Sequence, residues 1–279
     1  MLYAYVNKII DISNVDGPGN RTVIFLQGCP FNCLYCHNPE TINLCNDCGL
    51  CVNGCPVLAL SIVGGKVLWD CNLCINCDQC IKVCPSLSSP KVNLYSSDHI
   101  INIIDRQLGF IRGITVSGGE CMEYPEYLLE LFTKVKEKNL SCLIDSNGYY
   151  LFENYKELLD ISDGVMLDVK AYDYDFHLKL IGRDNTNVFK NLKYLLDHNK
   201  LYEVRTVLLP NFDKENIETV IEVSKIIKDR VRYKLLRYRP YGVRKQGIDF
   251  IGDIIYNKEK ALELKALAIQ YGASLTVVI

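Results

Sequence analysis

Cys29, Cys33 and Cys36 follow a short apolar run, Thr22-Val23-Ile24-Phe25-Leu26, with the spacing C-x3-C-x2-C. Three thiolates on one tight loop can hold three irons of a cubane cluster, which ordinarily takes four cysteines. The cysteines next along the chain are committed elsewhere. One iron then keeps an open position, the feature that separates catalytic metal sites from closed ones. An open iron can chelate an amine and a carboxylate. The alternative is a zinc site on Cys29, Cys33, Cys36 and His37. Its spacing is poor, because His37 adjoins Cys36 and zinc ligands are usually two or more residues apart.

Two further runs follow. Cys45-x2-Cys48-x2-Cys51-x3-Cys55-Pro56 precedes Cys74-x2-Cys77-x2-Cys80-x3-Cys84-Pro85. Each matches the bacterial ferredoxin run, whose fourth cysteine serves the other cluster. The template predicts one 4Fe–4S cluster on Cys45, Cys48, Cys51 and Cys84, and another on Cys74, Cys77, Cys80 and Cys55. The exchange would tie both halves of a thin-cored segment together around iron. Paired zinc knuckles on nucleic acid are the alternative, but the basic and aromatic dressing of such modules is missing. Of the 14 cysteines, Cys71, Cys121 and Cys142 remain. Cys71 lies outside the template spacing. Cys121 reads as filler and Cys142 as a buried apolar residue in a strand.

These loops need elements to hold them. The chain of 279 residues is 49% hydrophobic and 23% charged, the profile of a folded globular protein. A net charge of -2 calls for neither nucleic acid nor an anionic membrane as partner. No apolar run approaches the roughly 20 residues of a membrane helix. The start, Met1-Leu2-Tyr3-Ala4-Tyr5-Val6, lacks the pattern of a signal peptide, so a cytoplasmic protein is expected. Three parts emerge: 1–40 with the first cysteine loop, a cysteine-rich insert over 41–95, and 96–279, which alternates strand-like runs with amphipathic stretches. Predicted strands there centre on 114–117, 141–145, 164–168, 204–209 and 233–236. Leu128, Leu131, Phe132 and Val135 recur at helical spacing, as do Ile217, Val220, Ile221, Ser224 and Ile227. A last helix is predicted over 258–270, stopped by Gly272. With the run at 22–28, about six strands alternate with helices. That is an α/β fold with a parallel sheet, open or curled into a partial (β/α)6 barrel, too few strands for the closed eight-fold form. Ligands then sit at the carboxyl ends of the strands.

Those ends carry polar residues. Ser117-Gly118-Gly119-Glu120 closes one strand, Asp145-Ser146 the next, and Asp168-Val169-Lys170 another. Glycines admit close backbone approach, and Glu120 could accept a bond from an ammonium group. Alternation sends Asp168 and Lys170 to one side. The stretch 230–245 holds seven bases and no acid: Arg230, Arg232, Lys234, Arg237, Arg239, Arg244 and Lys245. It reads as a solvated edge or as a docking surface for an acidic partner.

The aromatic-bearing loop Cys29…Cys33-Leu34-Tyr35-Cys36 at the end of a first strand resembles the radical S-adenosylmethionine superfamily. The longer string Asp16-Gly17-Pro18-Gly19-Asn20-Arg21…Gly28-Cys29…Cys36-His37-Asn38 resembles the glycyl-radical-enzyme activating enzymes within it. That signature has Arg before the second cysteine, where this chain has Asn32. The insert, with Asp145-Ser146-Asn147-Gly148 and Gly182-Arg183-Asp184-Asn185, resembles the YjjW-type subgroup. The resemblance implies reductive cleavage of S-adenosylmethionine to a 5′-deoxyadenosyl radical, which abstracts a Cα hydrogen from a glycine of a partner enzyme. It implies three 4Fe–4S clusters and flavodoxin or ferredoxin as electron donor. Cofactor contacts are implied for Tyr35, His37, Gly118, Gly119, Glu120, Asp145, Ser146, Asp168, Lys170 and Arg205. A monovalent cation is implied on Asp145, Ser146, the Met166 carbonyl and Asp168. The family's His after the sixth strand is absent from Arg239-Pro240-Tyr241-Gly242. Two other readings remain: a radical enzyme acting on a small molecule, and an iron–sulfur electron carrier without catalysis.

Overall fold

A computed structural model describes residues 2–279. Its strands are β1 (Tyr3–Ser13), β2 (Arg21–Leu26), β3 (Leu60–Val63), β4 (Lys66–Trp69), β5 (Asn93–Ser96), β6 (Gly113–Gly118), β7 (Ser141–Ser146), β8 (Gly164–Asp168), β9 (Leu201–Leu208), β10 (Arg232–Arg237) and β11 (Thr276–Val278). Its helices are α1 (Gln79–Lys82), α2 (Ser97–Asp105), α3 (Pro125–Lys136), α4 (Lys156–Ile161), α5 (Tyr174–Ile181), α6 (Thr186–Asp197), α7 (Asp213–Ile227), α8 (Lys245–Ile251) and α9 (Lys258–Gln270).

Over the described residues one sheet runs in the order β11-β10-β9-β8-β7-β6-β2-β1-β5. Every pairing from β2 to β11 is parallel. The predicted strands therefore form one contiguous block, β2 and β6 to β10. The count of six is corrected at both ends. β11 extends the parallel block through only three residues, too short to read from a pattern. At the other end β1 pairs antiparallel with β2 and β5, which covers the edge that β2 would otherwise expose. β1 alternates cleanly only over its first half, where Ala4 and Val6 are buried between exposed Tyr3 and Tyr5, and loses the pattern from Asn7 on.

α3 buries Leu128, Leu131, Phe132 and Val135, the face its spacing predicts. α7 buries Val220, Ser224 and Ile227 of its predicted face and widens it to Asn216, Thr219 and Val223, while Ile217 is 42% exposed. The Asn216 amide accepts from Leu209 N at 3.0 Å and donates to Leu209 O at 2.8 Å, so a polar residue holds the inward position at the start of the helix. α9 forms over the predicted span, and Gly272 beyond it takes φ +105°.

The floor of the barrel is polar as well. Arg21 is fully buried. Its guanidinium donates to Thr115 Oγ1 at 2.8 Å, Ser141 Oγ at 2.9 Å and Ser141 O at 3.1 Å, joining the starts of β2, β6 and β7. The string from Asp16 to Arg21 thus does structural work at the amino ends of the strands.

Residues 41–95 carry their own two-stranded sheet, β3 against β4, turned at Gly64-Gly65 with positive φ at both. Asp47 ties to it by accepting from Lys66 Nζ at 2.7 Å and Val67 N at 2.9 Å. The buried apolar cluster of this segment is Cys51, Leu60 and Cys80.

Candidate functional site

The loop after β2 is pinned on two sides. Gly28 N donates to Thr41 O at 2.8 Å and Cys29 N to Ile42 O at 2.9 Å. Opposite, Asn32 N and Leu34 N donate at 2.9 Å to Ile181 O and Leu180 O. Those carbonyls end α5 and have no partner within the helix. Cys29, Cys33 and Cys36 are thereby gathered with little exposure. Burial pushes all three thiols up, Cys33 to about 12, and the neighbouring Cys33 thiol pushes Cys29 further. Buried thiols crowded in this way ionise only against a strong cation, which is what iron supplies. Tyr35 is buried with no partner for its hydroxyl among the described residues, and Lys170 Nζ lies 5.6 Å from its ring centre.

Beside this loop a polar ladder crosses the strand ends. Ser117 Oγ donates to Asp145 Oδ2 at 2.8 Å. Arg205 pairs with Asp145 and, through Nε at 3.1 Å, with Asp168. Lys170 Nζ meets Asp168 Oδ2 at 3.1 Å. Burial works against the Lys170 ammonium, but Asp168, Tyr35 and Cys33 outweigh it and hold it charged. So Asp145, Asp168, Lys170 and Arg205 converge as expected.

The other expected contact residues have partners within the fold. The Glu120 carboxylate is 1% exposed. It accepts from Met122 N at 3.0 Å, Ser146 Oγ at 2.9 Å and Asn147 N at 2.7 Å, and burial raises it to about 7. It organises the end of β7. Ser146 therefore turns away from Asp145, as alternation along a strand requires. The space between Asp145 and Asp168, expected to take a monovalent cation, is bridged by the Arg205 guanidinium. Gly118 and Gly119 admit close approach of backbone. A Cβ on Gly118 would lie 2.2 Å from Leu26 N, and one on Gly119 2.1 Å from Gly28 O. His37 directs Nε2 to Arg239 O at 2.8 Å. The basic run is largely taken up by the fold: Lys234 meets Glu203 at 2.9 Å, Arg237 donates to Tyr256 O at 2.8 Å and Arg230 to Leu196 O at 2.6 Å.

One contact has no signal in the spacing. The Asn147 side-chain amide donates to Cys29 Sγ at 3.5 Å. Its place in Asp145-Ser146-Asn147-Gly148, one residue beyond the strand, is the feature that could have pointed to it.

In the insert, two cavities divide the cysteines. One is lined by Cys55, Cys74, Cys77 and Cys80. The other is lined by Cys45, Cys48, Cys51 and Cys84. Each set is the crossed one that the ferredoxin spacing predicts. Among the described residues no three Cys, His, Asp or Glu side chains close on a point suited to a single ion. The thiols surround cavities instead. A separate surface hollow beside Glu126, Glu153 and Glu157 includes none of these groups.

The fold is shared with solved structures. QueE from Escherichia coli matches all of this chain and 95% of its own, with TM-score 0.56 and 14% identity. A domain of pyruvate-formate lyase-activating enzyme from Bacteroides vulgatus matches 60% of this chain and 98% of its own, with TM-score 0.50 and 17% identity. The Radical SAM superfamily matches residues 23–224, more than half of the chain. Trans-4-hydroxy-L-proline dehydratase activating enzyme of Clostridioides difficile is 34% identical, covering 90% of this chain and 87% of its own. (2S)-3-sulfopropanediol sulfolyase activating enzyme of Bilophila wadsworthia is 32% identical, covering 83% and 84%. Pyruvate formate-lyase-activating enzyme of Clostridium pasteurianum is 30% identical, covering 88% and 86%. The chain belongs to the radical SAM superfamily and, within it, to the glycyl-radical enzyme activating enzymes.

Proposed function

We propose that this protein activates a glycyl-radical enzyme by radical S-adenosylmethionine chemistry. In this reading a catalytic 4Fe–4S cluster is held by Cys29, Cys33 and Cys36, and S-adenosylmethionine lies at the ends of β6 to β9. Two more 4Fe–4S clusters, on Cys45, Cys48, Cys51 and Cys84 and on Cys55, Cys74, Cys77 and Cys80, accept electrons from flavodoxin or ferredoxin. The two-cluster insert would also mark the chain as YjjW-type. An open-iron cluster is sensitive to oxygen, so the reading carries a cytoplasmic, anaerobic setting.

The observation that carries it is the juxtaposition of the buried Cys33 and the half-buried Cys29 and Cys36 with the Asp145–Arg205–Asp168–Lys170 ladder. Bound there, cluster and S-adenosylmethionine supply one-electron reductive cleavage and, from it, removal of a hydrogen atom from a glycine of the partner. This chain's residues do the rest. Lys170 and Arg205 offer cations to a carboxylate, and Asp168 an acceptor to an amine or ribose hydroxyl. Tyr35 presents a hydroxyl that lacks a partner among the described residues. The loop is held rigid by backbone bonds at both ends, which orients whatever it binds.

The test is anaerobic. The chain is loaded with iron and sulfide, reduced and given S-adenosylmethionine, and 5′-deoxyadenosine is counted with and without a glycine-loop peptide of a glycyl-radical enzyme. Product that needs Cys33, rises with the peptide and leaves a glycyl radical on it supports the reading. Iron-loaded protein that gives no product in either case would return it to an electron carrier. Product that ignores the peptide but rises with a small molecule would move it to the small-molecule class.

A further inference from the structure

One member of the basic run touches the cysteine loop directly. Arg244, just before α8, directs Nη2 to Asn32 Oδ1 at 2.7 Å, Cys33 O at 3.0 Å and Asn32 O at 3.4 Å. Its Nε is buried and has no partner among the described residues. An unpaired buried donor is unfavourable. The contacts that hold the guanidinium there must offset it.

The segment around Arg244 is pressed onto the same loop. A Cβ on Gly247 would lie 1.9 Å from Leu34 O. One on Gly242, which has φ +81°, would lie 3.0 Å from His37 O. Arg239 O meets His37 Nε2 at 2.8 Å. Residues 239–247 therefore roof the loop from Asn32 to His37, and Arg244 is the charge in that roof. A guanidinium always stays protonated and can fork to several acceptors, so it both ties backbone and fixes a charge. A positive charge beside an iron–sulfur cluster favours the reduced, more negative state.

We propose that Arg244 is a positioning residue of the cysteine loop. It clamps Asn32 and Cys33 in the folded chain and sets a fixed positive charge beside the cluster that Cys29, Cys33 and Cys36 would hold. The second half rests on the cluster reading given above; the first does not.

The experiment uses the full chain with Arg244→Met, Arg244→Lys and the neighbouring control Lys245→Met. In the iron-free chain, hydrogen exchange at the amides of Asn32, Leu34 and Cys36 reports the clamp. Arg244→Met is expected to lose about tenfold in protection, and Lys245→Met nothing. In the loaded chain, the EPR component that changes on adding S-adenosylmethionine is followed against potential. Arg244→Met should lower its reduced-to-oxidised ratio by roughly three- to tenfold, where tenfold is 59 mV for one electron. Arg244→Lys should restore most of that ratio without restoring protection, since an ammonium keeps the charge but not the fork. Unchanged exchange in Arg244→Met would overturn the clamp. An unchanged ratio in a fully iron-loaded Arg244→Met would overturn the charge. Should Arg244→Met load no cluster on the loop, loading restored by Arg244→Lys supports the charge, and loading absent from both overturns it. Failure of the cluster reading itself would show separately, as iron content unaltered by Cys33→Ala.

Discussion

The barrel and the insert bring cysteines together by opposite means. The barrel loop is short, and its backbone bonds run to Thr41, Ile42, Leu180 and Ile181, all outside it. Its thiols are gathered by a frame that stands on a continuous apolar core. The insert spreads eight cysteines over two cavities, and two of its three buried core residues are cysteines themselves. In the first region the fold makes the site. In the second the site is asked to make the fold, as in small domains whose ligands would otherwise scatter.

Removing iron should separate the two regions most strongly. In the iron-free chain the amides of β3 and β4 should lose at least about a hundredfold in exchange protection. Those of β6 to β9 should change little. Equal protection of both regions without iron would end the contrast. Limited proteolysis should report the same asymmetry as cleavage confined to 41–95.

Arg21→Ala tests the barrel's independence from the other side. It leaves a cavity and strips donors from Thr115, Ser141 and the Ser141 carbonyl. The expected loss is about 4 kcal/mol of barrel stability, read by far-UV circular dichroism in urea. Iron bound by the insert should not change. A loss of insert iron in step with barrel stability would show that the two fold as one unit.

Glu120 gives the smallest and sharpest effect. Burial raises its folded pKa from 4.5 to about 7. The folded state therefore binds more protons than the unfolded one between these values. This contribution to stability is fully present below 4.5 and is lost as pH rises through about 7. Glu120→Gln removes the ionisation. Relative to the parent it should gain stability from pH 5 to pH 8, by something of order 3 kcal/mol. Urea midpoints of the iron-free chain measure it. A difference that does not vary with pH would place the carboxylate in water and not against Asn147.

Much of this was legible because it is local. The three cysteine runs, the strand cores and α9 rest on spacing and periodicity, which survive in one dimension. The grouping of the insert cysteines that line each hollow also follows the spacing of the two runs. What spacing does not report is orientation. It locates Glu120, Ser146, Gly118 and Gly119 along the chain without the protein groups they meet. Each is claimed by a neighbouring backbone or side chain that spacing does not report. The inward place of Asn216 in α7, held by its two bonds to Leu209, is one that a hydrophobic pattern ignores.

By itself the sequence determined the central parallel strands, α3, α9 and the ligand types, because thiol spacing and strand-end positions are properties of short segments. Only the tertiary structure decided which charges meet. Arg205 comes between two aspartates from neighbouring strands. Asn147 reaches Cys29 from 118 residues away and Arg244 reaches Asn32 from 212. Contacts of that range depend on how strands are ordered in the sheet and how loops fold back over their ends, and no local pattern encodes the distance between them.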